Sequence, residues 1–285
     1  MPTREVEIRR GVVRGALSKT SGYIAEAGFT HSLSPARNCT FACTYCYVPT
    51  MGLYGGLKPE DWRRWGQFTT YKSNLAGLLR RELREGQSIY CSPLVDPYQP
   101  AEAMELMMPR ILDVLCERPP RVFTIQTRGT LILRDCDLLR ALAKRTTLRV
   151  SFSITTNRED VGRLYEPHCA SFEERLAVVR TLRDAGIETY ATLAPLLPCD
   201  PEVLAVESIE ATGRDLIGDP LHIRSTKRHG ATTRDAAFKI SDVHGHSSYF
   251  DAEGQASVVE QIDRIARAAG FTFATGPRGF ARLAI

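Results

Sequence analysis

The stretch ARNCTFACTYCYVP, residues 36–49, places Cys39, Cys43 and Cys46 within eight residues at the spacing C-x3-C-x2-C. A structural zinc site closes with four ligands, and no second C-x2-C pair stands nearby to supply the fourth. An iron–sulfur cluster is also held by thiolates, and a cubane with three protein thiolates leaves one iron open to a chelating cofactor. The spacing therefore predicts a metal centre with three thiolate ligands. A reduced structural cluster and an adventitious zinc site are the alternatives.

The composition is that of an ordinary globular protein. The chain has 285 residues, of which 25% are charged and 43% hydrophobic, and its formal net charge is +4. No apolar run approaches the roughly 18 residues of a membrane span, and the charged start lacks the apolar region of a secretory signal. We therefore expect a cytoplasmic protein. Its eight cysteines are expected to form no structural disulfides, because that compartment keeps thiols reduced.

Short apolar strands alternate with longer helical patterns along the chain. The predicted strands lie near residues 31–33, 88–92, 121–127, 147–155, 187–195 and 221–225, and the predicted helices near 74–83, 103–116, 136–144 and 171–186. Such alternation gives parallel strands joined by right-handed crossovers. We therefore predict an α/β fold, a partial (β/α)6 barrel, whose active site lies at the carboxyl ends of the strands.

The predicted barrel spans residues 31–226. An N-terminal extension, residues 1–30, precedes it, and a C-terminal appendage, residues 227–285, packs on it. Two capping boxes predict helix starts, one at Ser171 with Glu174 and one at Ser257 with Glu260. Residues 222–245 between the sixth strand and the last helix are polar and predict a loop.

Further segments of the chain resemble one enzyme family. The spacing C-x3-C-x2-C with an aromatic residue before the last cysteine resembles the radical S-adenosylmethionine (SAM) superfamily. The segments CYVP, VDPYQPAE, FTIQTRGTLILRD, SITT, EPHCASFEERL and LAPLLPCDPE, within residues 34–202, resemble its spore photoproduct lyase-like branch. The resemblance implies a [4Fe–4S] cluster on Cys39, Cys43 and Cys46 whose open iron binds SAM. It also implies reductive cleavage of SAM to a 5′-deoxyadenosyl radical.

The resemblance also implies contacts to SAM. Arg128 would pair with the carboxylate of the cofactor, and the polar stretch after the second strand would meet its amine. Arg128-Gly129 departs from the Lys-Ser that family members often carry. Asp96 has a second interpretation, because Asp-Pro pairs favour turns and its carboxylate can brace one. The full set of implied contacts is Tyr45, Ser92, Asp96, Arg128 and Ser153.

Four residues are candidates for the reaction itself: Tyr47, Cys91, Cys169 and Cys199. Tyr47 would face the substrate in a radical relay, with ordinary packing as the alternative. Family members have a cysteine near the end of the second strand that returns a hydrogen atom to the product radical, and Cys91 is close to that place. Cys169 and Cys199 follow the fourth and fifth strands. There a thiol can donate a hydrogen atom or hold a second iron–sulfur cluster, and loops that merely contain these residues are the alternative.

The remaining two cysteines lie in helical patterns. Cys116 and Cys136 are predicted to be small core residues, because a cysteine outside a disulfide is among the most buried residue types.

A basic segment follows the sixth predicted strand. Residues 222–239 carry five basic residues against one acid, Asp235. Such a loop at the barrel mouth would meet phosphate, a nucleic-acid backbone or an acidic small molecule, and a solvated loop is the alternative. The lack of interleaved aromatic residues weakens the nucleic-acid interpretation.

The sequence therefore predicts a radical SAM enzyme that acts on a nucleoside, a nucleotide or another small molecule, in natural-product biosynthesis or sulfur transfer. An electron donor such as flavodoxin or ferredoxin is the expected partner. Two alternatives stay open. One is repair of damaged nucleic acid in the manner of spore photoproduct lyase. The other is a non-catalytic iron–sulfur protein that binds nucleic acid or senses redox state.

Overall fold

A computed structural model describes residues 5–50, 64–221 and 235–285 of the chain. The strands are β1 (Glu7–Gly11), β2 (Leu17–Lys19), β3 (His31–Leu33), β4 (Ala36–Arg37), β5 (Phe68–Lys72), β6 (Ser88–Cys91), β7 (Val122–Thr127), β8 (Thr147–Ser153), β9 (Thr189–Leu196), β10 (Leu216–Pro220) and β11 (Phe273–Thr275). The helices are α1 (Gly22–Glu26), α2 (Leu75–Glu82), α3 (Glu102–Glu105), α4 (Met107–Glu117), α5 (Cys136–Ala143), α6 (Glu159–Tyr165), α7 (Phe172–Asp184), α8 (Pro201–Thr212), α9 (Asp235–Val243), α10 (Ala252–Ala268) and α11 (Gly276–Phe280).

The main sheet has eight strands in the order β11-β10-β9-β8-β7-β6-β3-β2. Its neighbouring strands are parallel, except that β2 pairs antiparallel with β3 at one edge. The six strands from β3 to β10 follow one another in chain order and are connected through helices, which is the pattern of a partial barrel. The predicted α/β fold with a partial (β/α)6 barrel is confirmed.

The central strands are buried on both faces. Five of the six residues of β7 are buried, and four of the last five residues of β8 have no exposed surface or almost none. Helices cover the outer face of such a barrel and side chains fill its interior, so its strands read as nearly continuous apolar runs. Cys116 and Cys136 pack against this core but are only half-buried, so they are less buried than predicted.

The predicted capping box at the start of α7 is confirmed. The Glu174 N–H donates to Ser171 Oγ at 3.3 Å, and the Ser171 N–H donates to the Glu174 carboxylate at 2.8 Å. These reciprocal bonds satisfy two of the N–H groups that a helix start leaves without a helical partner. They fix the start of the helix that carries Arg175 towards the sheet.

A second, three-stranded sheet lies beside the barrel in the order β1-β5-β4. β1 pairs in parallel with β5 over five residues, and β5 pairs antiparallel with β4. The predicted N-terminal extension therefore contributes strands to both sheets, through β1 here and β2 in the main sheet. The domain boundaries after residues 30 and 226 stay predictions.

The sixth barrel strand lies earlier than predicted. The strand is β10, Leu216–Pro220, whereas the predicted 221–225 begins after it and its residues 222–225 lie outside the described part. The sequence LIGDP resembles a turn because of its glycine and proline. Gly218 is required by packing, because a Cβ there would lie 2.5 Å from the Phe273 ring and 2.9 Å from the Leu193 carbonyl oxygen.

Three predicted features of helices and loops are wrong in their bounds. The single helix predicted at 103–116 is two helices, α3 and α4, separated by Leu106 at φ 50°. Pro109 has no N–H to donate four residues back, so the first helix cannot continue through it. The predicted loop 222–245 contains α9, since Ala237 and Ser241, one turn apart, are both buried. The last long helix, α10, is capped by Asp251, so Ser257 lies within it rather than at its start.

The last residues of the chain cover the amino ends of the strands. The carbonyl oxygen of Leu283 accepts from Thr124 Oγ1 at 2.6 Å, and that of Ala284 accepts from Ser88 Oγ at 3.1 Å. The opposite, carboxyl edge of the sheet carries the cysteine loop. No described helix has both the length and the apolar character needed to span a membrane.

Candidate active site

The cysteine loop begins where the first barrel strand ends. β3 ends at Leu33, β4 follows, and Cys39 stands two residues beyond β4, on the face where the sequence predicted the site. Cys39 and Cys43 are buried and Cys46 is half-buried. All three predicted ligands therefore lie in one loop at the carboxyl edge of the sheet.

The chemistry of this loop fits an iron–sulfur cluster. The N–H groups of Asp96 and Phe41 donate to the Cys39 thiol. On either side of Cys39, Asn38 Nδ2 and Thr40 Oγ1 are buried without a hydrogen-bond partner in the described part of the chain. Buried donors need acceptors, and cluster sulfur atoms accept such bonds. Within the described ranges no three His, Cys, Asp or Glu side chains converge on one ion, as a zinc site requires.

Arg128 follows β7 and reaches the cysteine loop. Its Nη1 donates to Cys43 Sγ at 3.5 Å and also contacts Tyr45 Oη and Glu166 Oε1. Tyr45 Oη donates to the same oxygen of Glu166. Nε and Nη2 of Arg128 make no hydrogen bond with another described residue, so one edge of the guanidinium remains available to a ligand.

Glu166 is a fully buried carboxylate between two arginines. One oxygen pairs with Arg128, and the other pairs with Arg175 on α7, whose side chain is only 4% exposed. Burial alone would raise the pKa of Glu166, but Arg175 and Arg128 together hold it at about 2. Glu166 is therefore ionised at neutral pH and fixes the guanidinium of Arg128 beside Cys43.

Cys169 lies against the proposed cluster ligand Cys43. The two thiols share a hydrogen bond, and this bond lowers the pKa of Cys43, with Arg128 adding to the effect. Burial raises the pKa of Cys169 well above its usual value. Of the two thiols, Cys43 is thus the one that becomes a thiolate ligand more readily, because metal ligands must be deprotonated.

Asp96 braces the turn at the end of the second barrel strand. Its carboxylate accepts from the N–H of Tyr98 at 2.9 Å, the N–H of Arg128 at 2.8 Å and Thr127 Oγ1 at 2.6 Å. Gly129 packs so closely here that a Cβ would lie 2.2 Å from the Tyr98 carbonyl oxygen, which explains why no serine stands there. These bonds match the turn-bracing interpretation of Asp96, and its contact with SAM stays a prediction.

The two predicted serine contacts are buried at strand ends. Ser92 Oγ donates to Ser34 Oγ at 3.0 Å, which joins the first two barrel strands just past their ends. Ser153 ends β8, and its Oγ accepts from Gln126 Nε2 at 2.7 Å. Both hydroxyls therefore have fixed positions at the face that carries the cysteine loop.

Cys91 and Tyr47 lie near the end of β6. Cys91 has no exposed surface, and burial raises the pKa of its thiol. Lys72 faces it from β5, and burial followed by the charge of Arg37 lowers the pKa of that lysine to about 8. Tyr47 Oη donates to the Pro93 carbonyl at 3.1 Å, so its side chain is held across the same corner.

Cys199 pairs with a tyrosine rather than with the other thiols. Its Sγ lies 2.8 Å from Oη of Tyr249, in the 3-10 segment Ser247–Tyr249, and burial raises the pKa of the thiol to about 11. Cys169 lies beside Cys43 instead, and Cys91 lies near Lys72. As no three such ligands converge in the described residues, the structure does not bring Cys91, Cys169 and Cys199 to one point.

The predicted basic segment falls mostly outside the described residues. The structure does not describe residues 222–234. Of the five basic residues, Lys239 is described, and it is exposed on α9. The interpretation of this segment as a substrate contact therefore stays a prediction.

Sequence reasoning gave no role to several residues of this site, namely Glu166, Arg175, Lys72 and Tyr249. Arg175 offered a usable signal, because it falls on the apolar face of α7 next to Leu176, three residues beyond Phe172. A charge at a core position implies a buried countercharge. Tyr249 offered no such signal, since its contact with Cys199 joins residues 50 positions apart.

A family model and several relatives match more than half of the chain. A family model described as the radical SAM superfamily matches residues 33–202. An uncharacterized protein of Mycobacterium tuberculosis is 28% identical over 230 residues, which are 75% of this chain and 65% of that protein. One of Methanocaldococcus jannaschii is 31% identical over 171 residues, 60% of this chain and 62% of that protein. The chain thus spans less than two thirds of the length of these relatives.

The fold is similar to that of solved structures as well. Spore photoproduct lyase, as a cysteine-to-alanine variant with dinucleoside spore photoproduct, matches with a TM-score of 0.62 at 15% identity, over 94% of this chain and 81% of that one. A variant of the same enzyme with bound AdoMet matches with the same TM-score, identity and coverage. At this identity the likeness concerns the fold. Since the family model covers more than half of the residues, including all three cysteines, the chain belongs to the radical SAM superfamily.

Proposed function

We propose that this protein binds a [4Fe–4S] cluster through Cys39, Cys43 and Cys46 and cleaves SAM reductively. The observation that carries the proposal is the position of these cysteines in one loop at the carboxyl end of the first barrel strand, with Arg128 Nη1 3.5 Å from Cys43 Sγ. Membership of the superfamily implies both cofactors and an enzyme. When bound, the cluster would supply the electron that converts SAM to methionine and a 5′-deoxyadenosyl radical.

The residues of the chain would bind and orient SAM. Arg128 would offer its Nε and Nη2 edge to the methionine carboxylate, since bidentate pairing with carboxylates suits a guanidinium. Glu166 holds the other edge of that guanidinium and thereby sets its direction. Ser92 and Ser153 would hydrogen-bond the cofactor from the ends of the second and fourth strands. Tyr45 would contact it beside Arg128.

Replacing Arg128 with alanine is expected to weaken SAM binding by about tenfold or more. Losing a hydrogen bond to a charged group costs about 1.5–3 kcal/mol, which gives a factor of that size. Anaerobic calorimetric titration of reconstituted protein with SAM measures the effect. Arg183→Ala on the exposed side of α7 is the control, with unchanged affinity expected, and retained cluster absorbance shows that the variant is folded. Equal SAM affinity in Arg128→Ala and wild type would place the carboxylate contact elsewhere.

We further propose that the substrate is a nucleoside, a nucleotide or another small molecule, and that a thiol acts after SAM cleavage. The Cys199 Sγ to Tyr249 Oη distance of 2.8 Å supports this role. A thiol that gives its hydrogen atom to a substrate radical becomes a thiyl radical, and a phenol in contact can return a hydrogen atom to it. The tyrosyl radical left on Tyr249 would then take one electron from the electron donor and one proton from solvent. Screening candidate substrates for release of 5′-deoxyadenosine, and for deuterium transfer into it, tests the substrate class.

Alanine variants of Cys91, Cys169 and Cys199 are expected to separate two roles for these thiols. If one thiol donates hydrogen, iron stays near four per chain, SAM cleavage persists, and shunt products replace the normal product. If they hold a second cluster, reconstituted protein contains about eight irons, and the Cys39/Cys43/Cys46 triple alanine variant keeps roughly half of them. Their dispersed positions favour the first result.

Iron analysis and product chromatography distinguish these outcomes. A matched control is Cys136→Ala, because that half-buried cysteine begins α5 away from the thiol contacts described above. Full product yield with four irons in all three single variants and in the combined variant would show that the thiols are packing residues.

A further inference from the structure

An open cavity lined mostly by ionisable side chains lies beyond the carboxyl end of β8. Its volume is about 410 Å³, and it lies between α6 and the segment that follows α9. The lining residues are Arg158, Asp160, Arg163, Leu164, His244 and His246. We call this cavity the Arg–His pocket. Four of its six lining side chains are basic or can become so, and one is acidic.

The ion pairs of the pocket leave its arginines able to bind a ligand. Arg158 pairs with Asp160 through Nε at 3.2 Å and Nη2 at 2.6 Å, which leaves its Nη1 without a hydrogen bond to another described residue. Arg163 pairs with Glu159 through Nη2 alone, at 2.5 Å. All four side chains are between 43% and 73% exposed. Exposed ion pairs contribute little to stability, so an anion with several acceptor oxygens can compete for these guanidinium groups.

The pocket adjoins the thiol–phenol pair of the candidate site. The Arg158 N–H donates to Thr156 Oγ1, and that hydroxyl donates to the Pro198 carbonyl, immediately before Cys199. The bond to Asp160 is the main cause that raises the pKa of Arg158, and Tyr249 and Cys199 are close enough to add to this effect. A ligand group held by Arg158 would therefore lie near the loop of Cys199, at the carboxyl edge of the sheet where the fold places its reacting groups.

We propose that the Arg–His pocket binds a phosphate group of the substrate. The guanidinium forks of Arg158 and Arg163 can each give two parallel hydrogen bonds to phosphate oxygens, and the imidazoles of His244 and His246 add N–H donors. A carboxylate has two oxygens and cannot engage all four side chains as fully. The inference rests on the proposed function, which assigns the radical chemistry to the rest of the substrate. It narrows the substrate class to phosphorylated compounds.

The pocket also makes phosphate binding depend on pH. Burial and then Arg158 lower the pKa of His246, whose ring faces Asp160 and His244 and lies 3.3 Å from Tyr165 Oη through Nδ1. Asp242, on α9, is the other charged group near Tyr165. A bound anion opposes the effect of Arg158 and raises the pKa of His246, so binding takes up a proton. Affinity for sulfate, which keeps its charge over this range, should therefore increase as pH falls from 8 to 6.

The test is a titration of the full-length protein with inorganic phosphate, followed through the histidine ring signals in the NMR spectrum. We expect the signals of His244 and His246 to shift together and to saturate. Arg163→Ala should weaken the apparent affinity by about tenfold. Arg267→Ala is the matched control, because Arg267 forms an exposed i,i+4 pair with Asp263 on α10. Unshifted histidine signals, or equal affinity in the two variants, would overturn the proposal.

Two further arms identify the source of the phosphate. A nucleoside 5′-monophosphate that binds as tightly as a ten-residue oligodeoxynucleotide indicates a small phosphorylated substrate. An oligonucleotide that binds more tightly, with affinity falling steeply as salt rises, indicates a nucleic-acid backbone. The phosphate titration is repeated on the Cys39/Cys43/Cys46 triple alanine variant. If the triple variant binds phosphate and the wild type does not cleave SAM, the pocket is a phosphate site and the proposed function is wrong.

Discussion

Replacing any one of Cys39, Cys43 or Cys46 with alanine should remove most of the cluster absorbance and all formation of 5′-deoxyadenosine under dithionite. Each thiolate would hold a separate iron, so losing one leaves a second iron without a protein ligand. Ultraviolet–visible spectra, iron content and chromatography of the nucleoside measure the effect after anaerobic reconstitution.

The matched control is Cys116→Ala, since Cys116 is a half-buried helical cysteine on α4 that packs against the core. That variant should keep its absorbance and its SAM cleavage. SAM cleavage by a protein that lacks all three loop cysteines would refute the proposed function.

The second large effect is expected for Glu166→Gln. Glu166 has no exposed surface on its side chain and lies between Arg128 and Arg175, which are 14% and 4% exposed. Removing one charge from a buried ionic group leaves the others uncompensated and costs about 3–5 kcal/mol in the free energy of unfolding. Urea unfolding at neutral pH measures this loss. Glu207→Gln is the control, because its pair with Arg180 is about two fifths exposed and should change stability by less than about 1 kcal/mol.

The pH dependence of this effect has a definite sign. The pKa of Glu166 is about 2 in the folded protein and 4.5 as the usual value. Its ionised form therefore stabilises the fold fully above about pH 4.5, and this contribution is lost as pH falls towards 2. The difference in unfolding free energy between wild type and Glu166→Gln should narrow over that range. A difference that is constant from pH 7 to pH 3 would show that Glu166 is not held as a carboxylate.

The main fold could be predicted from the sequence because parallel strands buried on both faces produce apolar runs. β7 and β8 follow this rule and were found within two residues of their bounds. β10 was missed because its glycine serves the packing of Phe273, a residue 55 positions away. Contacts at such separations leave no local pattern, so the sequence could not distinguish this strand from a turn.

The candidate site likewise has one part that the sequence predicts and another part that it does not. The spacing of Cys39, Cys43 and Cys46 is local and identifies the proposed cluster loop. The strand that ends just before the loop places it at the carboxyl edge of the sheet. The bridge from Arg128 through Glu166 to Arg175 joins three separate segments, and its partners cannot be read from their neighbours in the chain. A charged side chain on an apolar helix face, as at Arg175, shows that a partner exists without showing which residue it is.

The small sheet β1-β5-β4 has a consequence for how the protein matures. β4 ends immediately before the cysteine loop, and its backbone hydrogen bonds to β5 involve no thiol. β5 is held in turn by five residues of β1. We therefore expect the scaffold of the loop to fold without iron, unlike a zinc finger, whose chain folds only around its metal. Assembly would consist of delivering iron and sulfide to a finished polypeptide, and loss of the inorganic part by oxidation would leave a chain ready to be loaded again.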